Sequence, residues 1–184
     1  MNSQLTIYNE QTEVQQQLSD SSSIQTALDK VGVIYERWSA STPLAADADQ
    51  DAVLAAYASD IETLNQRFGF NTIDVVSMQA DNPKKDEFRQ MFLSEHTHAD
   101  FEVRFFVDGQ GLFYLRPQET APGAVYALHC TAGDLVSVPA GMTHWFDMGD
   151  KPNFKAIRFF TTDEGWVADF TGDDIASRFP LLSC

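Results

Sequence analysis

Apolar residues keep two rhythms along this chain. In the first half, Val53, Leu54, Tyr57, Ile61, Leu64 and Phe68 recur at helical spacing. They predict a helix from about Asp51 to Arg67, with Asp47–Asp51 bringing negative charge to its start and Gly69 ending it. Ser22 or Ser23 predicts the N-cap of an earlier helix that runs to Lys30 and stops at Gly32. KKDEFRQMF, Lys84–Phe92, predicts a short amphipathic helix. Between these, Leu5–Tyr8, Val33–Trp38 and Ile73–Met78 read as strands, and the Gln- and Ser-rich stretch after Tyr8 reads as a polar segment. Further on, the rhythm becomes that of short strands: Glu102–Asp108, Leu112–Arg116, Val125–Cys130, Leu135–Val138, His144–Met148 and Phe154–Thr161. The turn signals DGQG, APG, AGD and PAG divide them, and such spacing predicts an antiparallel sandwich or barrel. Asp163–Phe179 adds a turn or two of helix. The expectation is a mainly β fold forming one domain over residues 1–184. It comprises a helical and strand front (1–92), a barrel (93–162) and a C-terminal segment (163–184).

Composition narrows the functional classes. A chain of 184 residues with 43% hydrophobic content and 14 phenylalanines can bury a substantial core. A formal charge of −15 argues against binding nucleic acid or an anionic membrane through bulk electrostatics. Only two cysteines occur, Cys130 in an apolar run and Cys184 at the end, which predicts no disulfide framework and fits a reducing compartment. No run approaches the roughly 18 apolar residues of a membrane span. The first residues, MNSQLTIYNEQTEVQQQ, lack the basic and apolar regions of a signal peptide. A cytoplasmic monomer is expected.

The chemistry concentrates in EHTHADFEVRFFVDG, Glu95–Gly109. If this is one strand, His96, His98, Glu102 and Arg104 share even parity and point to one side. A helix would set His96 and His98 about 200° apart. Two imidazoles and a carboxylate aimed at one point are a metal-site signal. GDLVSVPAGMTHWFDMG, Gly133–Gly149, supplies His144 just after the Pro139–Gly141 turn.

These two segments resemble the paired motifs of the cupin superfamily. His96, His98, Glu102 and Gly109 fit the spacing of the first motif, with Gln90 in place of its leading glycine. Gly133, Pro139, Gly141 and His144 fit the second, with Met148 in place of its final asparagine. The longer stretches EHTHADFEVRFFVDGQGLF, SVPAGMTHWFDMG, PNFKAIRFF and EGWVADFTGDDIA are similar to the acireductone dioxygenase family of methionine salvage, as are GVIYERW, NQRFGF and IDVVSMQ. That resemblance implies a cupin-type jelly-roll barrel with N-terminal helices packed outside. It also implies one Fe(II) or Ni(II) per monomer, held by His96, His98, Glu102 and His144, and acireductone and dioxygen as substrates. With iron the family yields 4-methylthio-2-oxobutanoate and formate; with nickel it yields 3-methylthiopropanoate, carbon monoxide and formate.

Arg104 has two readings: an ion pair with Glu102 or another carboxylate, or a fixed positive charge for an anionic substrate oxygen. The resemblance implies the second and makes it the expected catalytic residue. Phe92, Phe105, Trp145 and Phe146 are candidates to line the cavity, although such residues are more often core. Lone His129 reads as structural, and Asp100 as structural or solvent-facing, because neither fits a motif position. Two rivals stand beside the dioxygenase: a cupin isomerase acting on a sugar phosphate, and a non-catalytic metal-binding cupin. The isomerase would want further basic residues near the motifs, where only Arg104, Arg116 and Arg158 occur.

Overall fold

The structure, a computed structural model, describes residues 2–183, so Cys184 lies outside the described residues. In chain order the first elements are β1 (Gln4–Asn9), β2 (Val14–Leu18), α1 (Ser21–Asp29), β3 (Ile34–Arg37), α2 (Gln50–Ala56), α3 (Ala58–Phe68), β4 (Thr72–Gln79) and α4 (Lys85–Leu93). Then come β5 (His96–Thr97), β6 (Glu102–Arg116), β7 (Ala124–Thr131), β8 (Asp134–Val138), β9 (Thr143–Asp147), β10 (Asn153–Phe160), β11 (Asp169–Phe170) and a 3-10 turn, Ile175–Arg178.

Two antiparallel sheets share β6, which gives the expected barrel. One runs β11-β5-β9-β6-β7-β1-β2. The other runs β3-β8-β6-β10-β4. The first 92 residues are therefore woven into both sheets through β1, β2, β3 and β4.

The DGQG segment was expected to divide two strands, and it does not. Strand β6 continues through it for 15 residues, pairing with β8 and β10 in its first half and with β7 and β9 in its second. Two local devices let it pass from sheet to sheet. Opposite β10 the register jumps from Asp108↔Lys155 to Phe106↔Ala156, so one residue, Val107, is bulged out. Gly109 then takes φ of 70°, where a Cβ would lie 1.8 Å from the Asn153 carbonyl oxygen. The bulge also reverses parity: Glu102, Arg104 and Phe106 point inward before it, and Phe113 and Leu115 after it.

Three apolar clusters follow from this alternation. The barrel interior holds Phe106, Phe113, Leu115, Leu128, Val136, Phe146 and Phe154, with Ile24 and Leu28 of α1 packed against it. Helices α2 and α3 cover the outer face of the second sheet, burying Val53, Tyr57 and Leu64 against Val103, Phe105 and Ile157. The C-terminal segment covers the other sheet, with Ile175, Ala176 and Phe179 against Tyr114, Val125 and Trp145.

Three local expectations are corrected, and the C-terminal turn of helix is found as a 3-10 turn. The polar stretch after Tyr8 contains β2, an exposed edge strand paired only with β1, so no alternation of burial marks it. The cap of α1 is Asp20, whose carboxylate accepts from Ser23 N, rather than a serine. The long helix is two, because Tyr57 leaves helical geometry (φ −111°, ψ 22°); its ring packs edge-on against Phe105 and its hydroxyl donates to Thr42 O. The C-terminal segment holds only the short 3-10 turn and β11. Among the described residues, no helix is long and apolar enough to cross a membrane.

Candidate metal centre

His96, His98 and His144 come together in the barrel interior, all buried, with one ring nitrogen of each within 4.8 Å of the others. The route differs from the single strand expected. Strand β5 ends at Thr97 and pairing resumes only at Glu102. His96 faces His144 directly across the β5–β9 ladder. His98 sits on the bend between β5 and β6, where its carbonyl accepts from Gly141 N at 2.9 Å. The Pro139–Gly141 turn thus holds the two motifs together. Parity holds only inside β6, for Glu102 and Arg104.

Backbone carbonyls fix the imidazole tautomers. Nδ1 of His96 lies 2.8 Å from Ser94 O, Nδ1 of His98 2.9 Å from Val167 O, and Nδ1 of His144 2.9 Å from Met142 O. A carbonyl only accepts, so each Nδ1 carries a proton and Nε2 is the nitrogen each ring turns toward the others. Burial, reinforced by the neighbouring His144, pushes the His96 pKa down to about 4, so that ring stays neutral at pH 7.

Glu102 stands beside the three histidines. Its Oε2 lies 3.3 Å from His98 Nε2 and 3.5 Å from His144 Nε2. Among the described residues, the buried side-chain polar atoms without a hydrogen-bond partner are Glu102 Oε2, His144 Nε2 and Arg104 Nη1. Orphaned lone pairs aimed at one point are costly in a protein interior unless a cation joins them. Three neutral imidazoles and a carboxylate are the donors that a first-row divalent ion takes, so the residues fit such an ion.

Arg104 makes the ion pair with Glu102, the first of its two expected readings. Its Nε donates to Glu102 Oε1 at 3.0 Å, and its Nη2 makes a second, shorter bond to the same oxygen. The guanidinium lies 4.8 Å from the Phe113 ring centre and 5.0 Å from that of Phe146. Burial raises the Glu102 pKa, but the adjacent Arg104 charge together with the neighbouring His144 and His98 outweighs it and holds the carboxyl well below the usual range. Nη1 is left over, on a residue that lines the cavity.

That cavity, about 610 Å³, opens beside the histidines. Of the aromatic candidates, Phe92 and Phe146 line it; Phe105 and Trp145 are core, packed behind the two sheets. Phe113 lines it too, and sequence reasoning missed it because the bulge reverses its parity. Met78, Met91, Trp166 and Phe170 add to an apolar wall, while Asp74 and Arg158 make a polar one. His129 is outside the site, with Nε2 bonded to Gln110 Oε1 at 3.0 Å. Gln90 lies within α4, and Met148 is core. Arg104, Arg116 and Arg158 are each paired with a carboxylate, Glu102, Glu95 and Asp74 respectively. Among the described residues, no free basic cluster beside the motifs therefore favours a sugar phosphate.

The sequence comparisons agree with this geometry. The ARD/ARD' family model matches residues 4–168. Acireductone dioxygenase of Aquifex aeolicus is 52% identical over 178 residues, covering 97% of this chain and 95% of its own length. The Pseudomonas aeruginosa (strain UCBPP-PA14) enzyme of that name is 54% identical over 182 residues, 98% of each chain. Among solved structures, acireductone dioxygenase from Bacillus anthracis, with a cadmium ion in its active centre, superposes with a TM-score of 0.79 at 32% identity, covering 92% of this chain and 98% of that one. The chain belongs to the ARD/ARD' family, the acireductone dioxygenases.

Proposed function

We propose that His96, His98, Glu102 and His144 hold one Fe(II) or Ni(II) per chain, and that the protein cleaves acireductone, 1,2-dihydroxy-3-keto-5-methylthiopentene, with dioxygen. The observation that carries this reading is the convergence of carbonyl-fixed imidazoles and the orphaned Glu102 Oε2 at the wall of a mostly apolar cavity. When bound, the ion supplies a template and Lewis acid for a chelating enediolate. Everything else is the work of this chain's side chains. Arg104 offers Nη1 to an anionic substrate oxygen while its other nitrogens keep Glu102 ionised. Phe92, Phe113, Phe146, Met78 and Met91 take the methylthio tail and exclude water from the reacting carbons. Low cysteine content supports a reducing, cytoplasmic location, and we assign a monomer of one domain.

Oxygen uptake with synthetic acireductone, paired with elemental analysis, tests the assignment. Protein reconstituted with iron is expected to give keto acid and formate without carbon monoxide, and protein reconstituted with nickel to release carbon monoxide. Identical products from both metals would remove the metal-directed reading. No uptake with either would remove the assigned reaction for this chain.

A further inference from the structure

Asp100 is buried and belongs to neither the donor set nor the cavity wall. It is nevertheless saturated with hydrogen bonds. Its Oδ2 accepts from Thr161 N at 2.6 Å and Thr162 N at 3.1 Å. Its Oδ1 accepts from Thr161 Oγ1 at 2.8 Å and from Phe101 N at 2.9 Å. The loop that leaves β10 is therefore gripped at its first residues by the bend carrying His98. The same loop returns six residues later, where Val167 O receives the His98 Nδ1 proton at 2.9 Å. Between the two grips the chain is short and internally bonded: Gly165 N donates to Thr162 O at 3.3 Å and Val167 N to Glu164 O at 3.0 Å. Gly165 packs against the grip, since a Cβ there would stand 2.9 Å from Asp100 Oδ2 and 2.8 Å from the Phe160 Cβ.

We propose that Asp100 is a positioning residue: by clamping the start of the 161–167 loop, it places the Val167 carbonyl that sets the tautomer and direction of His98. The contrast with the other two histidines makes the proposal specific. His96 and His144 donate to Ser94 O and Met142 O, each two residues back on its own segment. Neither depends on the loop. His98 alone takes its partner from a segment 69 residues away in sequence. Outer hydrogen bonds of this kind commonly account for 10–100-fold in metal affinity.

The test uses the full chain with Asp100→Ala, and Gly165→Ala as a second variant that pushes the loop off an intact carboxylate. Proton–nitrogen NMR of the metal-free protein at pH 8 reads the tautomer of each imidazole. The expected result is loss of the Nδ1–H form at His98 alone, with His96 and His144 unchanged, and nickel affinity lowered about 10–100-fold. Asp100→Asn, which can still turn an oxygen toward the Thr161 and Thr162 amides, should recover most of both signals. A His98 tautomer that persists in both folded variants would overturn the proposal. So would equal loss at all three histidines, the mark of a merely structural role. The inference rests on His98 being a ligand, and the two readouts separate them: an altered tautomer with unchanged nickel affinity would count against the ligand role and leave the clamp standing.

Discussion

Replacing Arg104 with methionine should destabilise the metal-free protein far more than the metal-loaded one. In the metal-free state, the carboxylate of Glu102 faces two imidazole nitrogens and depends on Arg104 for its charge balance, with the two side chains 1% and 7% exposed. A full charge pair about 3 Å apart at an effective dielectric near 20 is worth roughly 5 kcal/mol of Coulomb attraction. Removing one partner of such a buried pair costs about 3–5 kcal/mol, net of relaxation. Contacts with Phe113 and Phe146, at 4.8 and 5.0 Å, add roughly 1 kcal/mol. With a divalent ion at the site, Glu102 has a second counter-charge, so roughly 1–2 kcal/mol of lost packing and cation–π contact should remain. The thermodynamic cycle converts the difference of about 2–5 kcal/mol into roughly 30–5000-fold tighter metal binding by the variant. Urea unfolding of metal-free and nickel-loaded protein at pH 7, with nickel affinity measured separately, reads both sides of the cycle. The sign of the pH dependence follows as well. A depressed carboxyl stabilises the fold above its unfolded pKa, near 4.5, and that contribution fades as pH falls through the folded value. In Arg104→Met, burial acts against less opposition and Glu102 binds a proton more readily, so the penalty should shrink as pH falls from 7 toward 5. Equal destabilisation of both forms, or weaker nickel binding by the variant, would refute the reasoning.

Four further substitutions test the frame. His96→Ala, His98→Ala and His144→Ala each remove an Nε2 lone pair and should sharply lower metal content; full occupancy by elemental analysis would contradict the role of that residue. Gly109→Ala places a Cβ 1.8 Å from the Asn153 carbonyl at a φ of 70°, where the backbone of β10 cannot yield cheaply. It should cost roughly 3 kcal/mol or more, lowering Tm by about 6–12 °C for a chain of this size, and a Tm within 2 °C of the parent would show that the strand crossing tolerates a side chain.

Sequence reasoning reached the residues that converge here because metal donors must be His, Glu or similar residues, and their spacing survives whatever backbone delivers them. It reached the wrong backbone for His96 and His98. Parity assumed a continuous strand from Glu95 to Gly109, whereas the bend at His98–Phe101 is made by hydrogen bonds from Asp100 to residues 61 and 62 positions away, which no local pattern records. The same limit explains β6. DGQG has turn composition, but its glycines serve the close approach of Asn153 and Phe146 to a strand changing sheets. A bulge of one residue then reverses parity and hides Phe113. Strand β2 was illegible for another reason: an exposed edge strand buries no alternating face, so VQQQL carries only the pairing of its backbone. The two readings of Arg104 were chemically compatible, because a guanidinium has five donors and Glu102 occupies only two of its nitrogens.

An anion-binding site in a chain of charge −15 is a question of distance. Around the site the charges nearly settle themselves: three neutral imidazoles leave a divalent ion and Glu102 with one positive charge between them. Arg104 adds another. Arg158, the cross-strand neighbour of Arg104, is joined to Asp74 at 3.0 and 2.6 Å, and the two charges cancel. Inside the cavity an enediolate therefore meets a local excess of positive charge at a few ångströms, where the apolar lining keeps screening weak. Surface carboxylates beyond about 8–10 Å are attenuated by salt before they can oppose it. The cost falls on approach rather than on binding, since at low ionic strength the acidic surface repels an incoming anion. It follows that kcat/KM should rise with moderate salt while kcat stays flat, because screening helps the encounter and leaves the buried charges around Glu102 and Arg104 almost untouched.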